Sequence, residues 1–130
     1  MPNQRVYSQT PWEDRVGYCR AIKAGAWIHV SGTTAVDEAG RPVSVGDIYG
    51  QTRFILEKIE KALAGLSAGP EHVVRTRMYV TDIRQWEAVG RAHGEHFREI
   101  KPATTLVEVS ALIDPQLLVE IEAVAMLPAG

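Results

Sequence analysis

The sequence has a single cysteine, Cys19, and no apolar run near the length of a membrane span. One cysteine excludes an intrachain disulfide and a cysteine-rich zinc site. A helix that crosses a bilayer needs about 20 apolar residues in a row, and Met1 to Thr10 is polar, without the apolar core of a secretory signal. A cytoplasmic location is the expectation. No excess of positive charge is present either: the net charge is −2. That argues against nucleic acid as the main partner, because phosphate binding requires a basic surface. Four histidines occur, and two of them, in His93-Gly94-Glu95-His96, lack the spacing of the helical zinc motif; no metal is expected there.

What is present fits one globular domain over residues 1–130, with 45% apolar and 23% charged residues. At this length a core without covalent staples is feasible. The pattern alternates between the two periods of secondary structure. Tyr18 to Lys23 and Ala26 to Ser31 read as two strands around a short turn. Asp37 to Pro42 reads as a loop or hairpin end. Asp47 is a candidate N-cap for a helix whose apolar face is Ile48, Thr52, Ile55, Ile59, Leu63 and Leu66, stopped at Gly69-Pro70.

Val73 to Val80 alternates as a strand, placing Val74, Thr76, Met78 and Val80 on one face and Val73, Arg75, Arg77 and Tyr79 on the other. Asp82 and Gln85 suggest a capping box. A second helix follows, with Trp86, Val89, His93, Phe97 and Ile100 inward, ended by Lys101-Pro102. Leu106 to Ala111 and Leu118 to Met126 read as two strands separated by an Asp114-Pro115 turn. This order suggests an α+β sandwich with both helices on one sheet face. Val119, Ile121, Ala123 and Ala125 suit the helix side. Leu118, Glu120, Glu122 and Val124 fall on the other side, joined by Arg75 and Arg77 and, by expectation, Leu106, Glu108 and Ser110. Such a face is either an oligomer interface with paired charges or a solvated face with weak surface ion pairs.

These residues resemble the Rid family (reactive intermediate deaminase, also YjgF or L-PSP). Pro102-Ala103-Thr104-Thr105-Leu106-Val107-Glu108-Val109, followed by Leu118-Val119-Glu120-Ile121-Glu122-Ala123, is similar to the family's P-A-R-x-x-V-E-V segment and its I-E-I-E-A strand. Trp27 to Gly32 resembles the F-V-S-G strand end, and Val80-Thr81-Asp82-Ile83 the V-x-D-L helix entry. The resemblance covers nearly the whole chain in the same order. It implies a chorismate-mutase-like sheet with two helices on one face, a homotrimer around a central β-barrel, and ligand clefts between subunits. It also implies hydrolysis of imines or enamines to ammonia and a 2-oxo acid, with no metal or organic cofactor.

In that chemistry an arginine clamps the substrate carboxylate and an acidic group positions water. Here Thr104 stands in place of the P-A-R arginine, Leu106 where some members carry cysteine, and Gly90 where an asparagine is often found. By the resemblance, Glu120 is the water-positioning carboxylate, and Tyr18, Ser31, Gly32 and Thr104 contact the ligand. Arg77 is an added candidate for holding a charge in the cleft. Each residue has a plainer reading. Tyr18 is also an ordinary strand aromatic, Ser31-Gly32 simple turn chemistry, Glu120 a structural ion-pair partner, Trp86 a core residue and Cys19 an inert strand residue. Charge-assisted hydrogen bonds are worth about 1.5–3 kcal/mol against about 0.5–1.5 for neutral ones. The threonine therefore predicts weak action on 2-aminoacrylate-type substrates. A non-catalytic trimer that binds a metabolite, and a ribonuclease or translation inhibitor, are the alternative functions.

Overall fold

In a computed structural model, residues 2–128 are described. The elements in chain order are β1 (Gln4–Val6), α1 (Pro11–Val16), β2 (Ala21–Ala24), β3 (Trp27–Thr34), α2 (Ile48–Ala64), β4 (Val73–Val80), α3 (Trp86–Phe97), β5 (Ala103–Glu108) and β6 (Val119–Met126). They form one six-stranded sheet in the order β1-β2-β3-β6-β4-β5. All pairs are antiparallel except β4–β5. The α+β architecture with two principal helices is the one the sequence predicts. β1 and α1 are not in that reading: three polar-flanked residues and a six-residue helix carry too little periodicity to register.

The last strand, β6, lies in the centre of the sheet, and its alternation decides the layering. Val119, Ile121, Ala123 and Ala125 are at most 2% exposed. They pack under α2, whose Ile55, Leu56, Ile59 and Leu63 belong to the same cluster, and under Val89 and Phe97 of α3. The Asp47 carboxylate accepts the Gly50 N–H at 3.0 Å, capping α2 as expected. The helix ends at Ala64 rather than at Gly69-Pro70; Leu66 and Ala68 still reach the core from the turn that follows. Gln51, fully buried on α2, donates to the Gln116 carbonyl at 2.8 Å and accepts the Leu118 N–H at 2.8 Å. Its amide thus fixes the entry into β6.

Several sequence expectations are corrected. A register shift between Val73 and Arg75 buries Val73 and exposes Val74, the reverse of simple alternation. Trp86 is not core: it is 54% exposed at the start of α3. A 3-10 turn, Ile83–Gln85, precedes that helix, and Asp82 caps it by accepting the Arg84 N–H at 3.0 Å. β5 begins at Ala103, three residues earlier than expected. Its parallel register sets Leu106 beside Met78 and Thr104 beside Thr76. Leu106 therefore packs on the helix side, and Thr105 and Val107 occupy the other face. The Asp114-Pro115 turn is present, with Asp114 accepting the Gln116 N–H at 2.8 Å.

Candidate functional site

The uncovered sheet face is built row by row from the register. One row runs Arg5, Ile22, His29, Val124 and Arg75; another joins Glu122, Arg77 and Thr105; the third joins Thr34, Glu120, Tyr79 and Val107. The pairing of β3 with β6 slips between Val30 and Thr33, so Ser31 and Gly32 form an irregularity in the strand. Glu120 fills the space this creates. A Cβ on residue 32 would collide with Glu120 Oε2, so glycine here admits the carboxylate against the backbone.

Glu120 and Gly32 line a cavity of about 340 Å³ together with Tyr18 and Arg20. Trp12, Val16, Ile113 and Lys58 complete much of its wall. Ser31 sits behind Tyr18 in a neighbouring hollow of about 720 Å³, lined also by Cys19 and Arg5. The Ser31 hydroxyl donates to the Cys19 carbonyl at 2.7 Å, which ties the chain before β2 to β3. Burial holds the Glu120 carboxyl above its usual pKa, the Arg20 charge opposes that rise, and Glu122 adds to it. No hydrogen-bond donor engages its carboxylate among the described residues. A half-buried carboxylate with a raised pKa and free lone pairs is suited to holding water and exchanging protons.

Arg20, absent from the sequence-based site, is the organising cation. It is 8% exposed. Nη1 donates to the Gly32 carbonyl and to Thr33 Oγ1, both at 3.0 Å, and the guanidinium lies 5.7 Å from the Tyr18 ring centre. Nε is 3.8 Å from the Glu13 carboxylate without a hydrogen bond. Glu13 is itself buried and accepts from the Ser8 N–H and, at 2.6 Å, the Ser8 hydroxyl. The sequence signal was there: an arginine inside an apolar strand needs an acid nearby, and Glu13 lies seven positions upstream. Lys58, on α2, donates to the carbonyls of Thr34 at 2.8 Å and Val36 at 3.0 Å. Burial first, and Arg20 second, lower its pKa to about 8.

Of the six candidate residues, Tyr18, Gly32 and Glu120 line one cavity and Ser31 lines the neighbouring hollow that shares Tyr18; Thr104 and Arg77 line neither. Arg77 is paired with Glu122 at 3.5 Å, and Glu122 also accepts the Tyr79 hydroxyl at 2.7 Å. The side chains of this pair are 45% and 34% exposed, so in the isolated chain it is a screened surface pair. Thr104 is on the opposite face, at the free edge of the sheet. Its hydroxyl is 2.8 Å from that of buried Thr76, which is 2.9 Å from His93 Nε2. Burial and neighbouring His96 lower the His93 pKa, favouring the neutral ring. His96 lies 3.4 Å from Glu60. Among the described residues no group of three histidine, cysteine or acidic side chains is placed to hold a metal. No helix there is long and apolar enough to cross a membrane.

The fold and the cleft define a small α+β protein with a polar sheet face and a half-buried acid at a strand irregularity. Residues 9–127 match the family model described as Endoribonuclease L-PSP. The chain is 40% identical over 119 residues to the uncharacterized protein SCO2049 of Streptomyces coelicolor, covering 92% of this chain and 88% of that one. It is 31% identical over 125 residues to the 3-aminoacrylate deaminase RutC of Acinetobacter baylyi, covering 96% and 98%. Among solved structures, Rv2704 of Mycobacterium tuberculosis, of the YjgF/YER057c/UK114 family, superposes with a TM-score of 0.88 at 45% identity, covering 97% and 100%. The chain belongs to the Rid/YjgF/L-PSP family.

Proposed function

We propose that the protein is a homotrimeric, cofactor-independent hydrolase of the Rid type, releasing ammonia from a small imine or enamine in the cytoplasm. The observation that carries this reading is the Glu120 carboxylate: half-buried, raised in pKa, unengaged by protein donors, and seated against Gly32 in a cavity of small-molecule size. In this role Glu120 orients water toward the imine carbon and passes a proton to the leaving nitrogen. Tyr18 forms a wall, and Ser31 and Gly32 supply the irregular backbone against which the ligand lies. The likeness to a 3-aminoacrylate deaminase supports the reaction class.

The usual 2-aminoacrylate-type substrate is not the one proposed, because Thr104 hydrogen-bonds to Thr76 and to the Pro102 carbonyl and offers no bidentate clamp. In the proposed trimer the partly exposed row of Glu122, Arg77 and Thr105 faces the barrel interior, and Thr104 at the sheet edge borders a neighbour's cleft. Ammonia release from imines generated in situ tests the reaction. Turnover of at least one imine, with weak action on 2-aminoacrylate, is expected; no release from any imine overturns the reading. Light scattering should give about 43 kDa, three chains of 14.3 kDa.

A further inference from the structure

The missing clamp raises the question of what in this chain holds an anion. Arg20 carries five N–H donors. Two, on Nη1, are taken by the Gly32 carbonyl and Thr33. Nε is buried with no hydrogen-bond partner, and Nη2 has no protein acceptor among the described residues. Lys58 has three donors and gives two to the Thr34 and Val36 carbonyls. Both cations line the same cavity as Glu120. Glu120 feels the Arg20 charge but makes no hydrogen bond or ion pair with either cation, so their charges are incompletely answered. Glu13 is committed to Ser8 and to the Nε edge of Arg20. Asp37 accepts the Ala39 and Arg41 N–H groups in its own loop, and Asp114 that of Gln116. Around this cationic floor the rim is apolar and open: Trp12, Val16 and Ile113 line the cavity and are exposed.

We infer that Arg20 and Lys58 form a carboxylate anchor on the Glu120 side of the cleft, and that the ligand is a small carboxylic acid with an apolar tail held by Trp12, Val16 and Ile113. This deepens the proposed hydrolase by naming how its substrate is held. A guanidinium fixed by hydrogen bonds to the Gly32 carbonyl and Thr33 Oγ1 is pre-oriented, so little rotamer freedom is lost when its Nη2, the end not facing Glu13, meets a carboxylate. Lys58 adds a point charge over the same space. Burial of Lys58 without an acid at hydrogen-bond distance is costly in the empty protein, and an arriving anion relieves it. The anchor lies on the same chain as Glu120, whereas an arginine at position 104 would lie on the far face and edge of the sheet. Moving the clamp across the cleft reverses the ligand's orientation relative to the acid and leaves the tail to meet the apolar rim.

The test is binding, independent of turnover. Isothermal titration of the intact protein uses phenylacetate, its neutral isostere phenylacetamide, and acetate. Phenylacetate should bind at least about tenfold more tightly than either of the others. Lys58→Met and Arg20→Lys should each weaken phenylacetate about tenfold or more. Lys61→Met, which removes an equal charge from an exposed position on the same helix, should stay within about twofold. If Arg20→Lys does not fold, the acid–amide contrast and Lys58→Met decide. Equal affinity for acid and amide, or wild-type affinity in folded Lys58→Met, overturns the anchor, as does absence of phenylacetate binding up to about 10 mM. Binding that obeys these rules without ammonia release from any imine would keep the anchor and overturn the hydrolase.

Discussion

The two faces of strand β6 divide the molecule. Val119, Ile121, Ala123 and Ala125 lie in a dry, helix-covered layer; Glu120, Glu122 and Val124, alternating with them, remain half-buried on an open sheet face. One strand thus carries both the centre of the core and the candidate acid. The core side holds position by packing, so Glu120 stands on a rigid support rather than on a mobile loop. The open side has side chains that a monomer does not require: a Tyr79–Glu122–Arg77 cluster and a carboxylate held above its normal pKa. Stability is concentrated on one face and the proposed chemistry on the other.

The sharpest way to break this comparison is to cut into the core side. Ile121→Ala removes a fully buried side chain beneath the helices and should cost about 2–5 kcal/mol, read by chemical denaturation. A comparable loss from Glu122→Ala would contradict the division. Gly32→Ala probes the boundary. The three atoms nearest its new Cβ all belong to the flexible Glu120 side chain, which must swing away. Hydrolysis should fall about tenfold to a hundredfold with little change in melting temperature; a folded, fully active variant would show that the carboxylate's position is immaterial.

On the open face the expected effects are smaller. Arg77→Ala removes a screened pair worth about 0–1 kcal/mol in a lone chain. Its larger consequence should be a weaker trimer, seen as dissociation on dilution in light scattering. Unchanged assembly would place the pair outside any interface. A separate effect, confined to alkaline pH, is the signature of Lys58. Its pKa falls from 10.5 to about 8 on folding. Between these values the unfolded chain binds more protons than the folded one, so this group's contribution to stability rises with pH across that window. A flat Lys58→Met profile relative to wild type over the same range is the expected difference.

Which parts of this were legible in the sequence follows from the physics of each signal. The α2 stripe, the β4 bounds and the alternation in β6 are periodic over many residues, and each is found where periodicity puts it. The faces of β4 near Val73 and of β5 are not, because a bulge and a parallel pairing register leave no mark in the local pattern. The same limit hid the cleft's cations. Arg20 and Lys58 are far apart in sequence, and only the folded chain brings them to one cavity. Tyr18, Gly32 and Glu120 were reachable through the family's motifs. Thr104 was reachable as a departure from them, but its link through Thr76 to His93 was not.

The central claim, that the open face carries a hydrolytic acid distinct from the folding core, rests on Glu120. Ammonia release from an imine turned over by the wild-type protein, measured side by side with Glu120→Gln at matched oligomer mass, tests it. Glu120→Gln keeps the shape of the side chain and removes a carboxyl that burial already disfavours in its charged form. A loss of about a hundredfold or more in hydrolysis is expected, with a melting temperature at neutral pH equal to or above that of wild type. Full activity in Glu120→Gln, or collapse of its trimer, would contradict the account and make Glu120 a structural residue.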